Sequence, residues 1–481
     1  MRELYRCVLL MLCALSLLTA GCGADEIQDD DDSGVSVENP KPVTPAPLVQ
    51  LEPTAPESVM IGDQMAWTPP GPPRLSDVPE NLLEYIERGK RLMAGARFKR
   101  MSCVPEHKLD LTWKRCLGND YLLAAVSPDG ELKKVEVYGG VAESPDNFTV
   151  HCEREGACEG GVNPPFIVSS PPGWTVVAVR KAIHDKDGPD GIGGKVYVPY
   201  STRLNTPELR RAGLEYLHLV AETVRYDLLT KDVRSGRISG KHVLETTTMR
   251  HAVVLSLTEQ VYSPELFTNG EDLDRLEMLN RVLVLYAINR GEAFRYVMSN
   301  MKARGAWQVI PSSWDTLRLA YPSAQLPEDF VYGSTNHTVA LKAAVLHTDD
   351  QWWGLKRSGC QDGHIAAFSD LSGDWGPLFA AGYNGSMARA DSVYHACGAS
   401  WRDGDCCKQI TNPAKRLACH PLRGETLMYL PKYEWIDQLL FDQEQRVRIE
   451  GLVWPLLREQ ALEYETARAQ RTAVEALVTT Q

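Results

Sequence analysis

Two side chains are candidates for a functional site: a glutamate that follows a predicted helix and could act as an acid, and a glutamine in a tight turn that could bind a ligand. Glu292 comes directly after Gly291, at the predicted end of a helix over 269–291. A carboxylic acid keeps a useful proton at neutral pH only if apolar surroundings raise its pKa, which Phe294 and the helix would provide here. The amide of Gln308 can both donate and accept hydrogen bonds. The alternative for Glu292 is a solvated residue at a helix end.

The turn that carries Gln308 reads RGAWQVIPSSW over 304–314. Gly305 would let the backbone approach a ligand closely, and Pro311 would stiffen the exit from the turn. Trp307 and Trp314 would pack behind it. A tight turn in a helical domain is the alternative interpretation of these eleven residues.

Four short motifs between residues 270 and 440 resemble, in the same order, those of the lytic transglycosylases of the Slt type, lysozyme-like enzymes that cleave peptidoglycan. They are GAWQVIPS (305–312), NHTVALKAAVLHTDD (336–350), FAAGYNGS (379–386) and RGETLMYLPKY (423–433). GEAF (291–294) stands where the family has a helix that ends in Glu-Ser, with Ala293 in place of the serine.

The resemblance implies a mostly α, lysozyme-like domain in which Glu292 is the single acid and base. In the family this acid protonates the glycosidic oxygen, and the sugar's own 6-hydroxyl then closes a ring, which leaves a 1,6-anhydro-muramyl end without consuming water. The family's tyrosine beside the catalytic glutamate corresponds to Tyr383. The other implied substrate-binding residues are Gln308, Asn384, Glu425 and Tyr429. No cofactor and no metal is implied.

Other interpretations of the same residues stay open. Glu259, in SLTEQVYSP, is the reserve candidate for the acid, although it lies far from the glutamine motif in the sequence. The chain could be an inactive relative that binds glycan or envelope proteins. It could also be a hydrolytic muramidase in which a second carboxylate, such as Asp315 or Glu328, activates water. Trp352 and Trp353 could stack on sugars, but buried packing is the more common use of such residues.

The N-terminus is typical of an exported, tethered protein. Residues 1–21 combine arginines with an apolar run too short to span a membrane, which predicts a signal peptide. LTAGC (18–22) resembles the lipobox of bacterial lipoproteins, so Cys22 is the expected lipidation site; an ordinary secreted protein cut near this point is the alternative. Residues 22–59 are acidic and then proline-rich, as in an extended tether. Gly23 favours the outer membrane, facing the periplasm.

The strand and helix patterns of the remaining residues predict an α+β protein. Residues 60–203 read as a smaller β-rich domain, 204–440 as the helical lysozyme-like domain, and 441–481 as a C-terminal helix broken at Pro455. The formal net charge of −12 argues against a nucleic-acid partner, which requires a basic face. The expected partners are peptidoglycan glycan strands and, through the lipid, a membrane.

The cysteines of an exported chain favour disulfides. Cys103–Cys116 and Cys152–Cys158 are plausible local pairs. Five more cysteines follow, an odd number, so one is free or pairs unexpectedly: Cys360, Cys397, Cys406, Cys407 and Cys419. A zinc site is the less favoured alternative because the spacings fit no common zinc motif. The segment HDKDGPDGIG (184–193) is interpreted as a turn between strands rather than as a calcium loop.

Overall fold

The computed structural model describes residues 67–98, 120–138, 141–143, 148–152, 165–184, 192–357 and 375–479. The predicted signal peptide, Cys22 and the tether lie outside these residues. So do Cys103, Cys116, Cys158 and Cys360. The predictions made for these positions, including the two local disulfides, therefore stay predictions.

The N-terminal part is built on an antiparallel sheet with the strand order β3-β2-β1-β6-β7, and a separate pair joins β4 to β5. The strands are β1 (Tyr121–Val126), β2 (Leu132–Tyr138), β3 (Val141–Glu143), β4 (Thr149–Cys152), β5 (Phe166–Ser170), β6 (Thr175–His184) and β7 (Ile192–Tyr197). The predicted hairpin around Pro-Asp-Gly is confirmed: β1 pairs with β2, and Gly130 in their turn has a φ of 85°. The strands predicted on either side of 184–193 also pair, as β6 and β7.

Strand β1 is buried along its whole length because both faces of the sheet are covered. Leu122, Ala124 and Val126 join the main core, on the side covered by helix α1 (Leu82–Gly95). Tyr121 and Leu123 point to the opposite side, into a smaller core shared with the β4–β5 pair. The alternation follows from the period of two in a strand, and it explains why β1 reads as a continuous apolar run.

Most of the described chain after β7 is helical. The helices are α2 (Pro207–Thr230), α3 (Met249–Gln260), α4 (Glu265–Asn269), α5 (Asp272–Asn289), α6 (Pro311–Ala320), α7 (Phe330–Thr335), α8 (His337–Arg357), α9 (Trp375–Asn384), α10 (Met387–Cys397), α11 (Cys406–Gln409), α12 (Pro413–Ala418), α13 (Gly424–Phe441) and α14 (Gln443–Thr479). Helix α2 begins as predicted, with Thr206 as the N-cap whose side chain accepts a hydrogen bond from the Leu209 amide.

Helix α5 is shorter than the predicted helix over 269–291. Asn269 ends the separate short helix α4, and Glu271 is the residue that precedes α5. The C-terminus comes at Asn289 because Arg290 adopts a φ of 45°, which breaks the helical hydrogen bonding before Gly291 is reached. Against α2, the helix packs so closely that a Cβ atom on Gly213 would lie 2.0 Å from the Leu283 carbonyl oxygen.

The prediction that the C-terminal helix breaks at Pro455 is wrong, because α14 continues through this residue. Proline removes one backbone hydrogen bond, but Ile449, Val453 and Leu457 are buried on one face and hold the helix on both sides of it. The N-terminal segment packs on the same helix, where the Trp67 indole donates to the Glu450 carboxylate at 2.6 Å.

Sheet and helices share one hydrophobic core, in which Leu122 of the sheet and Leu283 of α5 belong to the same cluster. The fold class is α+β. The predicted boundary at residue 203 falls in the connection between β7 and α2. Within the described residues, no helix has both the length and the apolar character that a membrane span needs.

Candidate active site

Glu292 does not have the sheltered surroundings predicted for it. It lies in a short 3-10 turn, Arg290–Glu292, and its side chain is 53 % exposed. Both carboxylate oxygens accept hydrogen bonds from the Arg295 guanidinium, at 2.8 and 2.7 Å. Phe294 is buried, but it packs edge-on against Tyr286 inside the core. Glu292 therefore fits the alternative interpretation, a solvated residue at a helix end, and it is ion-paired with Arg295.

The reserve candidate, Glu259, has the surroundings that an acid catalyst requires. It lies in the last turn of α3 and is partly buried, between the buried residues Thr258 and Gln260. Helix α13 packs against α3, and α9 packs against α13. Residues of α9 and α13 thereby reach the carboxyl group of Glu259.

Burial raises the pKa of Glu259 to about 7, since removal from water disfavours the charged form. The positive charge of Lys432 and the hydroxyl of Tyr429 oppose this rise, and the carboxylate of Glu425 adds to it. A proton is therefore held near neutral pH, and the residue as a whole keeps some exposure to solvent. A pKa near the working pH is the property that a general acid needs.

The turn that carries Gln308, residues 304–314, is called the glutamine corner below. It is attached directly to α3. The Gln260 amide donates to the carbonyl oxygens of Gly305 and Ala306 at 3.3 and 3.0 Å. The Trp307 indole donates to the Ala252 carbonyl at 2.8 Å, and Trp307 is fully buried. The residue next to Glu259 thus fixes the position of the corner relative to the carboxyl group.

Two residues of the corner adopt left-handed backbone conformations, Gly305 with a φ of 72° and Gln308 with 49°. A Cβ atom at Gly305 would lie 2.0 Å from the Ser334 carbonyl oxygen, so packing within the protein requires a glycine here. The close approach of a ligand to this glycine stays a prediction. Gln308 is half-buried, and its side-chain nitrogen donates to the Gly305 carbonyl at 2.7 Å. Its amide still has a carbonyl oxygen and a second N–H to offer a ligand. Trp314 is buried behind the corner, as predicted.

Tyr383, at the end of α9, links the corner to Glu259. Its hydroxyl donates to the Trp307 carbonyl oxygen at 2.5 Å, and its ring packs edge-on against His347 at 5.2 Å. Burial, together with the nearby charge of Glu259, raises the pKa of Tyr383 well above its usual value. The tyrosine that the resemblance placed beside the catalytic glutamate therefore lies beside Glu259.

The remaining implied binding residues lie on α13 or against it. The Thr426 hydroxyl donates to the Asn384 side-chain oxygen at 3.0 Å, which holds the end of α9 on the start of α13. Glu425 is exposed, and Tyr429, one turn later, is buried. The Tyr429 hydroxyl faces Glu259 but makes no hydrogen bond of normal geometry with any described residue.

The second carboxylates considered for a hydrolase lie at the surface. Asp315 has a side chain that is 71 % exposed and pairs with Arg318 at 3.8 Å, and Glu328 is exposed. Trp352 is buried and donates to the Thr246 carbonyl, so it is no stacking platform. Trp353 is half exposed, and the Arg237 guanidinium lies over its ring.

Four of the five late cysteines form two disulfides, Cys397–Cys406 and Cys407–Cys419. Their four sulfur atoms all lie within 4.8 Å of one another, a distance that would also suit a metal ion. The disulfides account for all four thiols and staple the segment between α10 and α13.

The sequence did contain a signal for Glu259, because this residue also stands at the end of a helix and before a glutamine. The sequence separation between Glu259 and Gln308 hides their relation, because α4 and α5 lie between them in the chain.

No protein-family model, no curated protein and no solved structure matches this chain.

Proposed function

We propose that this protein is a peptidoglycan lytic transglycosylase with a lysozyme-like helical domain, and that Glu259 is its acid and base. One observation carries the proposal: a partly buried carboxylic acid with a pKa of about 7 at the end of α3, next to Tyr383 and Tyr429, on a helix that Gln260 joins to the glutamine corner. The same residue types occur in the motifs that resemble this family.

In the proposed reaction, the glycosidic oxygen of the bond to be broken lies beside the protonated carboxyl group of Glu259. The acid gives its proton to that oxygen as the carbon–oxygen bond breaks and positive charge develops on the sugar ring. The resulting carboxylate then accepts the proton of the sugar's C6 hydroxyl, whose oxygen bonds to the same carbon. One bond breaks, one forms, and Glu259 ends protonated as it began.

The neighbouring groups have separate roles in this proposal. Gln308 hydrogen-bonds hydroxyl or acetamido groups of the sugar. Tyr383 keeps the corner at a fixed distance from the acid through its bond to the Trp307 carbonyl. Asn384 and Glu425, at the facing ends of α9 and α13, bind the strand further along. No cofactor is required by these steps.

The proposal includes anchoring in the cell envelope, at the outer membrane facing the periplasm, through a lipid on Cys22 and the tether of residues 22–59. Such an anchor would let the catalytic part reach glycan strands while staying membrane-bound. Metabolic labelling with a radioactive fatty acid tests this. The full chain should be labelled and Cys22→Ser should not; equal labelling of both would reject the anchor.

The decisive experiment compares two glutamates that each lie at the end of a helix. Purified protein is incubated with peptidoglycan, and the released muropeptides are weighed by mass spectrometry. Glu259→Gln should lower release by about a hundredfold or more, as expected when a general acid is lost. Glu292→Gln is the matched control and should keep wild-type activity, since it removes only an exposed ion pair.

The products distinguish the alternatives. Anhydro-muramyl ends, lighter by one water than reducing ends, support the proposal. Reducing ends would indicate a muramidase, for which Glu425 is the candidate second carboxylate because its charge acts on Glu259. Binding to glycan without release would indicate an inactive relative, and full activity in Glu259→Gln would reject the assignment of the acid.

A further inference from the structure

Lys432 is a buried lysine that has no role in the reaction proposed above. It lies on α13, is 8 % exposed, and donates hydrogen bonds from Nζ to the carbonyl oxygens of Thr258 and Val261, at 3.0 and 3.1 Å. Thr258 comes directly before Glu259 in the last turn of α3, and Val261 is the residue that follows the helix. A cation at this position satisfies carbonyl groups that the helix end leaves unpaired.

The ammonium group does not neutralise the acid by direct contact. In the described part of the chain, Lys432 makes no ion pair with Glu259, yet its charge acts on the carboxyl group through space. Its Nζ also lies 5.3 Å from the centre of the ring of Tyr429, another α13 residue that acts on this carboxyl group. Lys432 therefore bonds the backbone around Glu259 and not its carboxyl group.

We propose that Lys432 is a positioning residue of this site: it holds the turn that carries Glu259, and it stabilises the carboxylate formed when Glu259 gives up its proton. The inference rests on the proposed function, which requires that carboxylate as an intermediate state. A partly buried acid that must ionise in each turnover benefits from a fixed positive charge nearby. A charge in direct contact would instead keep the acid ionised and unable to donate.

The charged and titratable groups that face Glu259 shift its pKa in opposite directions, so their removal should do the same. From α13 these are Lys432, Tyr429 and Glu425, and from α9 Tyr383. Removal of the lysine charge should raise the pKa of Glu259, and removal of the Glu425 charge should lower it. Activity requires the protonated acid, so it is present below this pKa and is lost as the pH rises through it.

The test measures the carboxyl group itself. Protein labelled with 13C at the glutamate side-chain carboxyl is titrated by NMR, and the Glu259 signal is assigned by its loss in Glu259→Gln. In Lys432→Met the titration midpoint should rise by about one pH unit, and the alkaline limb of the activity profile should shift with it. Lys432→Arg should restore the wild-type midpoint. In Glu425→Gln the midpoint should fall by a smaller amount, because Glu425 is exposed.

Lys342→Met is the matched control for the loss of a buried lysine. Lys342 is 5 % exposed and bonds Asp227 and the Ala324 carbonyl, so its removal should lower stability without moving the Glu259 midpoint. If Lys432→Met does not fold, Lys432→Gln replaces it, since an amide can still donate to one carbonyl.

An unchanged midpoint in the neutral Lys432 variants would overturn the inference. Because the NMR midpoint needs no substrate, it decides the role of Lys432 even if the wild-type protein releases no muropeptide. In that case the proposed function alone would fail.

Discussion

At the scale of single residues, Glu259 shows how a site suited to catalysis can work against folding. Burial raises its pKa to about 7, against about 4.3 in an unfolded chain. Its contribution to stability is therefore complete below about pH 4.3 and is lost as the pH rises through 7. At higher pH the folded protein must hold a partly buried carboxylate, and among the described residues Lys432 and Tyr429 offset its cost.

This predicts that Glu259→Gln stabilises the protein in alkaline solution. One pKa unit corresponds to about 1.4 kcal/mol, so after a reduction for the partial exposure of the side chain we expect a gain of about 2 kcal/mol at pH 8 and little change at pH 5. Urea unfolding at both pH values measures the difference. Glu292→Gln should change neither value, and a less stable Glu259→Gln at pH 8 would contradict the assigned burial.

At the scale of elements, α3 and the glutamine corner form one unit joined by side chains. Gln260 and Trp307 contribute hydrogen bonds between them, and the His251 ring accepts or donates a bond with the Tyr433 hydroxyl of α13 at 2.6 Å. The Arg250–Asp437 ion pair adds a second link between the two helices. The acid and the residues around it are therefore held by helices rather than by free loops, which favours fixed geometry.

Two glycines with similar backbone angles separate the effect of conformation from that of close packing. Gly240 has a φ of 79° and open space around it, while Gly305 has a φ of 72° and a carbonyl oxygen 2.0 Å from where a Cβ atom would be. Gly240→Ala should cost about 1 kcal/mol, from the left-handed backbone alone. Gly305→Ala should cost about 3 kcal/mol or more, because α7 must move. Equal losses in urea unfolding would show that the corner can relax.

At the scale of the whole molecule, stability depends on pH through buried groups of opposite type. Burial lowers the pKa of His251 to about 3 and that of His337 to about 4. A histidine whose pKa is lowered by folding stabilises the protein fully above its pKa in the unfolded chain, about 6.5. This stabilisation is lost as the pH falls toward the pKa in the folded protein. Glu259 acts in the other direction, so the sum favours an intermediate pH.

Replacing His337 tests this balance. Its ring bonds the Tyr216 hydroxyl and the Ala293 carbonyl, both at 2.8 Å, so His337→Gln should be less stable than wild type at pH 7. At pH 4 the difference between the two proteins should shrink by about 3 kcal/mol, because the variant has no imidazole to protonate. Thermal unfolding between pH 4 and 7 measures it. A constant difference would show that His337 does not contribute to acid sensitivity.

Much of the fold follows from local patterns in the sequence. Threonine followed by proline marks the start of α2, and Pro-Asp-Gly marks the hairpin of β1 and β2. These features depend on neighbouring residues, whose backbone preferences act within a few positions. Pro455 shows the limit, since burial of one face of α14 outweighs a local helix breaker.

The sequence by itself determined the types of residue at the site: a glutamate after a helix, the corner with Gln308, and the tyrosines. Only the tertiary structure decided which glutamate they surround. Glu259 and Glu292 both stand at helix ends, and local patterns cannot separate them. The difference lies in the groups that act on the Glu259 carboxyl group, Tyr383, Tyr429 and Lys432, which come from more than a hundred residues further along the chain. Desolvation and charge act through space, so the pKa that makes an acid useful is set by packing and not by neighbours in sequence.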